Sequence, residues 1–104
     1  MDAILDSQFV EKSTAIVTHL GFKDLKSFVK NQALLMLLAK TDKYEIEIKN
    51  FEKKYRMDFE TFKNRISDIK GKEEFTEEDD YLDWRFAYEA LNELRKRKQE
   101  LEYA

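Results

Sequence analysis

Cysteine and proline are absent, and only two glycines and one histidine occur among the 104 residues. Without cysteine there is no disulfide, no thiolate metal site and no cysteine nucleophile. The single His19 cannot supply a multi-imidazole zinc set, and its place in the last turn before Gly21 suits a helix C-terminus. So few turn-making residues argue against hairpin-rich β architectures and for a few long helices. No segment approaches the roughly 18 uninterrupted apolar residues of a membrane span, and Asp2 and Asp6 stand where a signal peptide would be basic. A cytoplasmic protein is expected, with no membrane partner. Gly-rich phosphate loops, G-x-S-x-G and H-E-x-x-H are all missing. No carboxylate is paired with a second catalytic group, so the expectation is a protein that is not an enzyme and needs no cofactor or metal.

What is present is aromatic and charged. Eight Phe, five Tyr and one Trp accompany 42% hydrophobic and 39% charged residues, enough for one small core. The 19 basic and 22 acidic side chains leave a net charge of -3, too balanced for long-range attraction to nucleic acid.

Four helical stretches are predicted. Over residues 3–20, Leu5, Phe9, Ile16 and Leu20 recur at helical spacing, and Gly21 follows as a left-handed C-terminal cap. Asp24 can cap a second helix in which Leu25, Phe28, Val29, Leu35 and Ala39 make one stripe while Leu34, Met36, Leu37 and Leu38 fill other faces. A helix apolar nearly all round needs a covering partner, and a dimer or a hetero-complex meets that need, Leu25, Phe28, Leu35 and Leu38 being the candidate dimer core. From Tyr44 to Lys49 a period-two alternation competes with Tyr44, Ile48, Phe51 and Tyr55 at helical spacing, and continuation of the helix to about Tyr55 is favoured. Asp58 then caps a third helix, with Met57 and Phe62 placed for a hydrophobic staple, and Gly71 ends it.

Between Glu73 and Asp83 stand seven acids and no base. Thr76 and Asp79 have capping-box spacing, so the last helix is expected to begin near Glu77. Along it Trp84, Ala87, Leu91, Leu94 and Leu101 follow a 3-4 pattern that seeks one narrow groove. Clustered carboxylates here could hold a hard cation, stay solvated, or steer a basic partner; the Gly-containing loop of an EF-hand is lacking, and the third reading is preferred. The acids alternate with large rigid rings, which makes Asp79, Asp80, Tyr81, Asp83, Trp84, Tyr88 and Leu91 candidate partner-binding residues, against the alternative of a helix packed on its own domain. Lys23, Lys26 and Lys30 lie near one face and are candidate phosphate contacts for DNA, or an ordinary solvated face. Arg95, Lys96, Arg97 and Lys98 circle the terminal helix instead of lining one side.

The block HLGFKDLKSFVKNQALLMLLAK resembles the helix-turn-helix pair of small prokaryotic antitoxins, through Leu20, Gly21, Phe22, Asp24, Phe28 and Val29. FEKKYRMDFETFKNRI is similar to a segment joining two helices in such proteins, with Arg56 where they carry Gly, and DDYLDWRFAYEALNEL resembles their acidic, Trp-containing last helix. Together the three cover about half of the chain. The resemblance implies the antitoxin of a type II toxin-antitoxin pair: a dimerising N-terminal part and a C-terminal arm that covers a small basic toxin, often a ribonuclease. It implies operator binding less well, because the aspartates in MDAILDSQ would repel phosphate from any N-terminal strand.

The expected fold is therefore all-α, a helical hairpin or long-helix dimerisation core over 1–70 with a short N-terminal strand as an option. An acidic linker and an amphipathic partner-binding helix would occupy 71–104. The expected function is occlusion of a toxin, the alternatives being a structural or adaptor helical bundle and a DNA-binding regulator.

Overall fold

Three aspartates start three of the helices. In the computed structural model, which describes residues 6–68 and 75–104, the helices are α1 (Ser7–His19), α2 (Leu25–Tyr55), α3 (Phe59–Asp68) and α4 (Phe75–Glu102). Asp6 accepts from the Gln8 amide at 2.8 Å, Asp24 from Ser27 at 2.7 Å and Asp58 from Thr61 at 2.8 Å, each satisfying a first-turn donor that has no partner within its helix. Hydrogen bonds from the amide and side chain of Ser27, helped by Lys23 and Lys26, hold the Asp24 carboxyl below its ordinary pKa. The side chain and amide of Thr61 do the same for Asp58.

Among the described residues there is no strand, so the chain is all-α. The optional N-terminal strand falls partly on residues 1–5, outside the description, and Ser7 and Gln8 are already helical. The expected stop at Gly71 and the linker at 71–74 also lie outside it. The last helix starts two residues before the expected Glu77, which places Thr76 within it instead of at its cap.

The chain divides into two units, Met1–Met36 and Leu37–Ala104. In the first, α1 ends in a Schellman motif: the Phe22 amide reaches the Val17 carbonyl at 2.9 Å and the Gly21 amide reaches Thr18 at 3.0 Å. That geometry requires the φ of +101° at Gly21, a left-handed value that glycine adopts without a Cβ penalty. Val17 is buried, and Phe22 meets Phe28 edge-on with centroids 5.1 Å apart.

The segment from Tyr44 to Lys49 is helical, as the aromatic spacing favoured over the period-two pattern. None of the 31 residues of α2 is buried, so the covering anticipated for a helix apolar nearly all round is not supplied among the described residues. The helix ends at Arg56, which takes a φ of 54° where glycine would ordinarily stand.

The second unit is built on rings. Trp84 on α4 is fully enclosed, with centroids of Phe51 at 5.5 Å, Tyr55 at 6.2 Å, Phe59 at 5.6 Å and Phe62 at 5.2 Å. Met57 packs on the same cluster, as the hydrophobic staple anticipated. Ala87 and Leu91 continue the buried stripe one and two turns further, the small Ala87 allowing close approach of the helices.

Candidate protein-binding surface

The 3-4 pattern on α4 finds its groove inside its own unit. Trp84 and Leu91 are core residues, at 0% and 5% exposure, and are not presented at the surface as partner anchors. The reason is local: α2 and α3 bring Phe51, Tyr55, Phe59 and Phe62 to the same stripe. Tyr81 is half-buried and Tyr88 partly exposed, and both stack on Phe59, at 5.7 and 5.4 Å.

The acids of α4 separate into two sets. Asp80 accepts from Lys54 at 2.5 Å and from the Tyr55 hydroxyl, and Glu77 pairs with Arg65. Burial opposes ionisation of Asp80, but the bonds from Lys54 and Tyr55 outweigh it and keep the carboxyl below its ordinary value. The same burial, with the Asp80 carboxylate as acceptor, pushes the Tyr55 phenol well above its ordinary value. Asp79 and Asp83 point the other way. Both are exposed, and neither has an ion-pair partner among the described residues.

Two apolar residues that sequence reasoning passed over lie beside them. Leu82 is 51% exposed and Phe86 63% exposed. At 100° per residue, Asp79, Leu82, Asp83 and Phe86 share one face, roughly opposite Trp84. Their i, i+3, i+4, i+7 spacing was the available signal, and the stronger Trp84 stripe overshadowed it. Phe86 also meets Tyr44 of α2 edge-on, with centroids 6.0 Å apart.

The first unit carries three of the four proposed dimer residues, Leu25, Phe28 and Leu35. Leu25 and Phe28 are half-buried, and Leu35 is 55% exposed, as are Val29 and Met36 to a similar degree. The fourth, Leu38, is also exposed and belongs to the second unit. Lys23 and Lys26 are exposed at the start of α2 and Lys30 is half-buried one turn on, so the structure keeps these candidate DNA contacts on neighbouring turns.

The terminal basic cluster is largely occupied: Arg95 pairs with Glu45 at 3.0 Å, Arg97 with Glu93 and Glu100 at 3.0 Å, and Lys98 with Glu102 at 3.7 Å. Among the described residues no group of three or more His, Asp or Glu is placed to hold a metal ion, and no helix is long and apolar enough to cross a membrane. No family model, curated protein or solved structure matches the chain. The likeness to antitoxins therefore rests on the three sequence segments alone.

Proposed function

We propose that this chain is a non-enzymatic, antitoxin-like protein that binds a small basic toxin through α4 and occludes its site. The observation that carries the reading is the division of acids on α4. Glu77 and Asp80 are neutralised inside the unit, whereas Asp79 and Asp83, beside exposed Leu82 and Phe86, have no ion-pair partner among the described residues. Charge left over after folding steers a partner of opposite sign, and exposed rings anchor it. The partner-facing set is thus Asp79 and Asp83, joined by Leu82 and Phe86, while Trp84 and Leu91 hold the helix in shape and Tyr88 lies on the Trp84 side, stacked on Phe59.

In the same reading the protein acts as a homodimer through the first unit. Leu25, Phe28, Val29, Leu35 and Met36 form an apolar stripe with the exposed Gln32 in its middle. An amide both donates and accepts, so Gln32 is complementary to its own copy across a two-fold axis. Phe9, Ile16 and Leu20 on α1, also more than half exposed, are further uncovered apolar side chains of the same unit.

The test is co-expression with each immediately adjacent gene. A neighbour that arrests growth alone, and is rescued while co-purifying with this chain, supports the reading. Absence of any toxic neighbour counts against it and favours the second reading, a structural or adaptor bundle, which has its own support in the packing of Trp84 and Leu91 within their unit.

A further inference from the structure

The groove between α2 and α4 in the second unit encloses about 410 Å³. Tyr44 and Phe51 form its apolar floor and wall on α2, Phe86 forms the facing wall on α4, and Glu47 and Asp83 stand on opposite rims. Lys43 is the one cation of the lining, and it lies over the Tyr44 ring, 5.3 Å from the centroid. Neither Glu47 nor Asp83 has an ion-pair partner among the described residues, and unpaired Asp79 extends the negative field along α4 by one turn.

We infer that this groove is the docking site for an arginine-bearing amphipathic helix of a protein partner. The inference rests on the reading of the chain as a protein-binding occluder and names the chemistry its surface takes. A guanidinium fits both kinds of wall: it donates two parallel hydrogen bonds to a carboxylate such as Asp83 and stacks on an exposed ring such as Phe86. Lysine would satisfy the charge but not the stacking. From Asp79 to Phe86 the helix rises ~10 Å, which matches two turns of a partner helix with Arg at i and i+4 and an apolar residue between them. Phosphate-bearing partners are disfavoured, because two unpaired carboxylates line the groove against one lysine. Phe86 is not part of the buried core, which α4 enters through Trp84, Ala87 and Leu91.

The test uses the full chain, isotope-labelled, titrated with a short helical peptide of Leu, Ala and Arg, and with the same peptide carrying Glu in place of Arg. The Arg peptide is expected to shift the amide signals of Glu47, Asp83 and Phe86 saturably. Asp83→Lys and Phe86→Ser should each raise its Kd by about tenfold or more while leaving the circular-dichroism melting curve in place. The Glu peptide should not bind. Shifts that map elsewhere, equal binding of the Glu peptide, or a Kd unchanged in both variants would overturn the inference. The two readings fail separately. A toxic neighbour bound equally well by wild type, Asp83→Lys and Phe86→Ser keeps the antitoxin role and refutes this groove, whereas peptide docking here with no toxic neighbour keeps the groove and refutes the antitoxin role.

Discussion

Replacing Trp84 by alanine distinguishes a core residue from an interface anchor. The indole is fully enclosed among Phe51, Tyr55, Phe59 and Phe62. Burial of ~200 Å² at ~25 cal/mol per Å² gives about 5 kcal/mol, to which a residual cavity adds. In the other direction, the indole Nε1 is buried with no hydrogen-bond partner among the described residues, and its removal relieves about 1–3 kcal/mol of desolvation. The net expectation is a loss of about 3–5 kcal/mol, in the range of Trp→Ala changes in cores. A unit of this size, at ~0.05–0.15 kcal/mol per residue, has only about 3–10 kcal/mol in total. Urea unfolding followed by far-ultraviolet circular dichroism measures the change, because the variant has lost the only tryptophan. Trp84→Phe refines the test: it keeps a ring in the cluster and discards the unpartnered donor, so its loss should be about 1 kcal/mol. A cost of under ~1 kcal/mol for Trp84→Ala, with partner binding nonetheless abolished, would refute the packing argument and restore Trp84 as a surface hot spot.

Three further outcomes follow from backbone and charge. Arg56 holds a left-handed conformation that disfavours an L side chain by ~1–2 kcal/mol, partly offset by the extra unfolded-state freedom of glycine, so Arg56→Gly should stabilise the chain by about 0.5–1 kcal/mol in the same urea assay. Gly21→Ala should do the reverse, losing about 1–2 kcal/mol; no atom lies within 4 Å of the added Cβ, so the strain is purely of the backbone. The pH dependence has two arms. Asp24, Asp58 and Asp80 have folded pKa values below their unfolded ones, so their contribution is complete above about pH 4 and is lost as pH falls through the lowered values. Tyr55 has a raised folded pKa, so its contribution is complete below about pH 10 and is lost as pH rises through the raised value. Ultraviolet titration should show one phenol ionising only with alkaline unfolding, and Tyr55→Phe should remove that step; its survival in the variant would assign it to another tyrosine.

How much of this was legible in the sequence depended on the range of the interaction involved. The caps at Asp24 and Asp58 and the left-handed end at Gly21 each join residues a few positions apart, and each stands where local rules placed it, while Met57 packs on the cluster that contains Phe62. The run from Tyr44 to Lys49 needed one step more. Its alternation is a strand signal, but Tyr44, Ile48, Phe51 and Tyr55 fall on one helix face, and three of them, Tyr44, Phe51 and Tyr55, meet rings of α4. The side on which α4 would face a partner was beyond local rules. Periodicity showed that Trp84, Ala87 and Leu91 seek a groove; it carries no label saying whether that groove belongs to another chain or to α2 and α3. Once the chain satisfies the stripe itself, the residues free to bind are those on the opposite face. In the proposed reading that inversion moves the anchor from Trp84 to Phe86, only two positions away along the chain but ~160° round the helix. A matched pair of variants reads the inversion directly: Trp84→Ala should lower the unit's stability by about 3–5 kcal/mol and Phe86→Ser should leave its unfolding curve in place, while Phe86→Ser weakens binding by removing the contact itself.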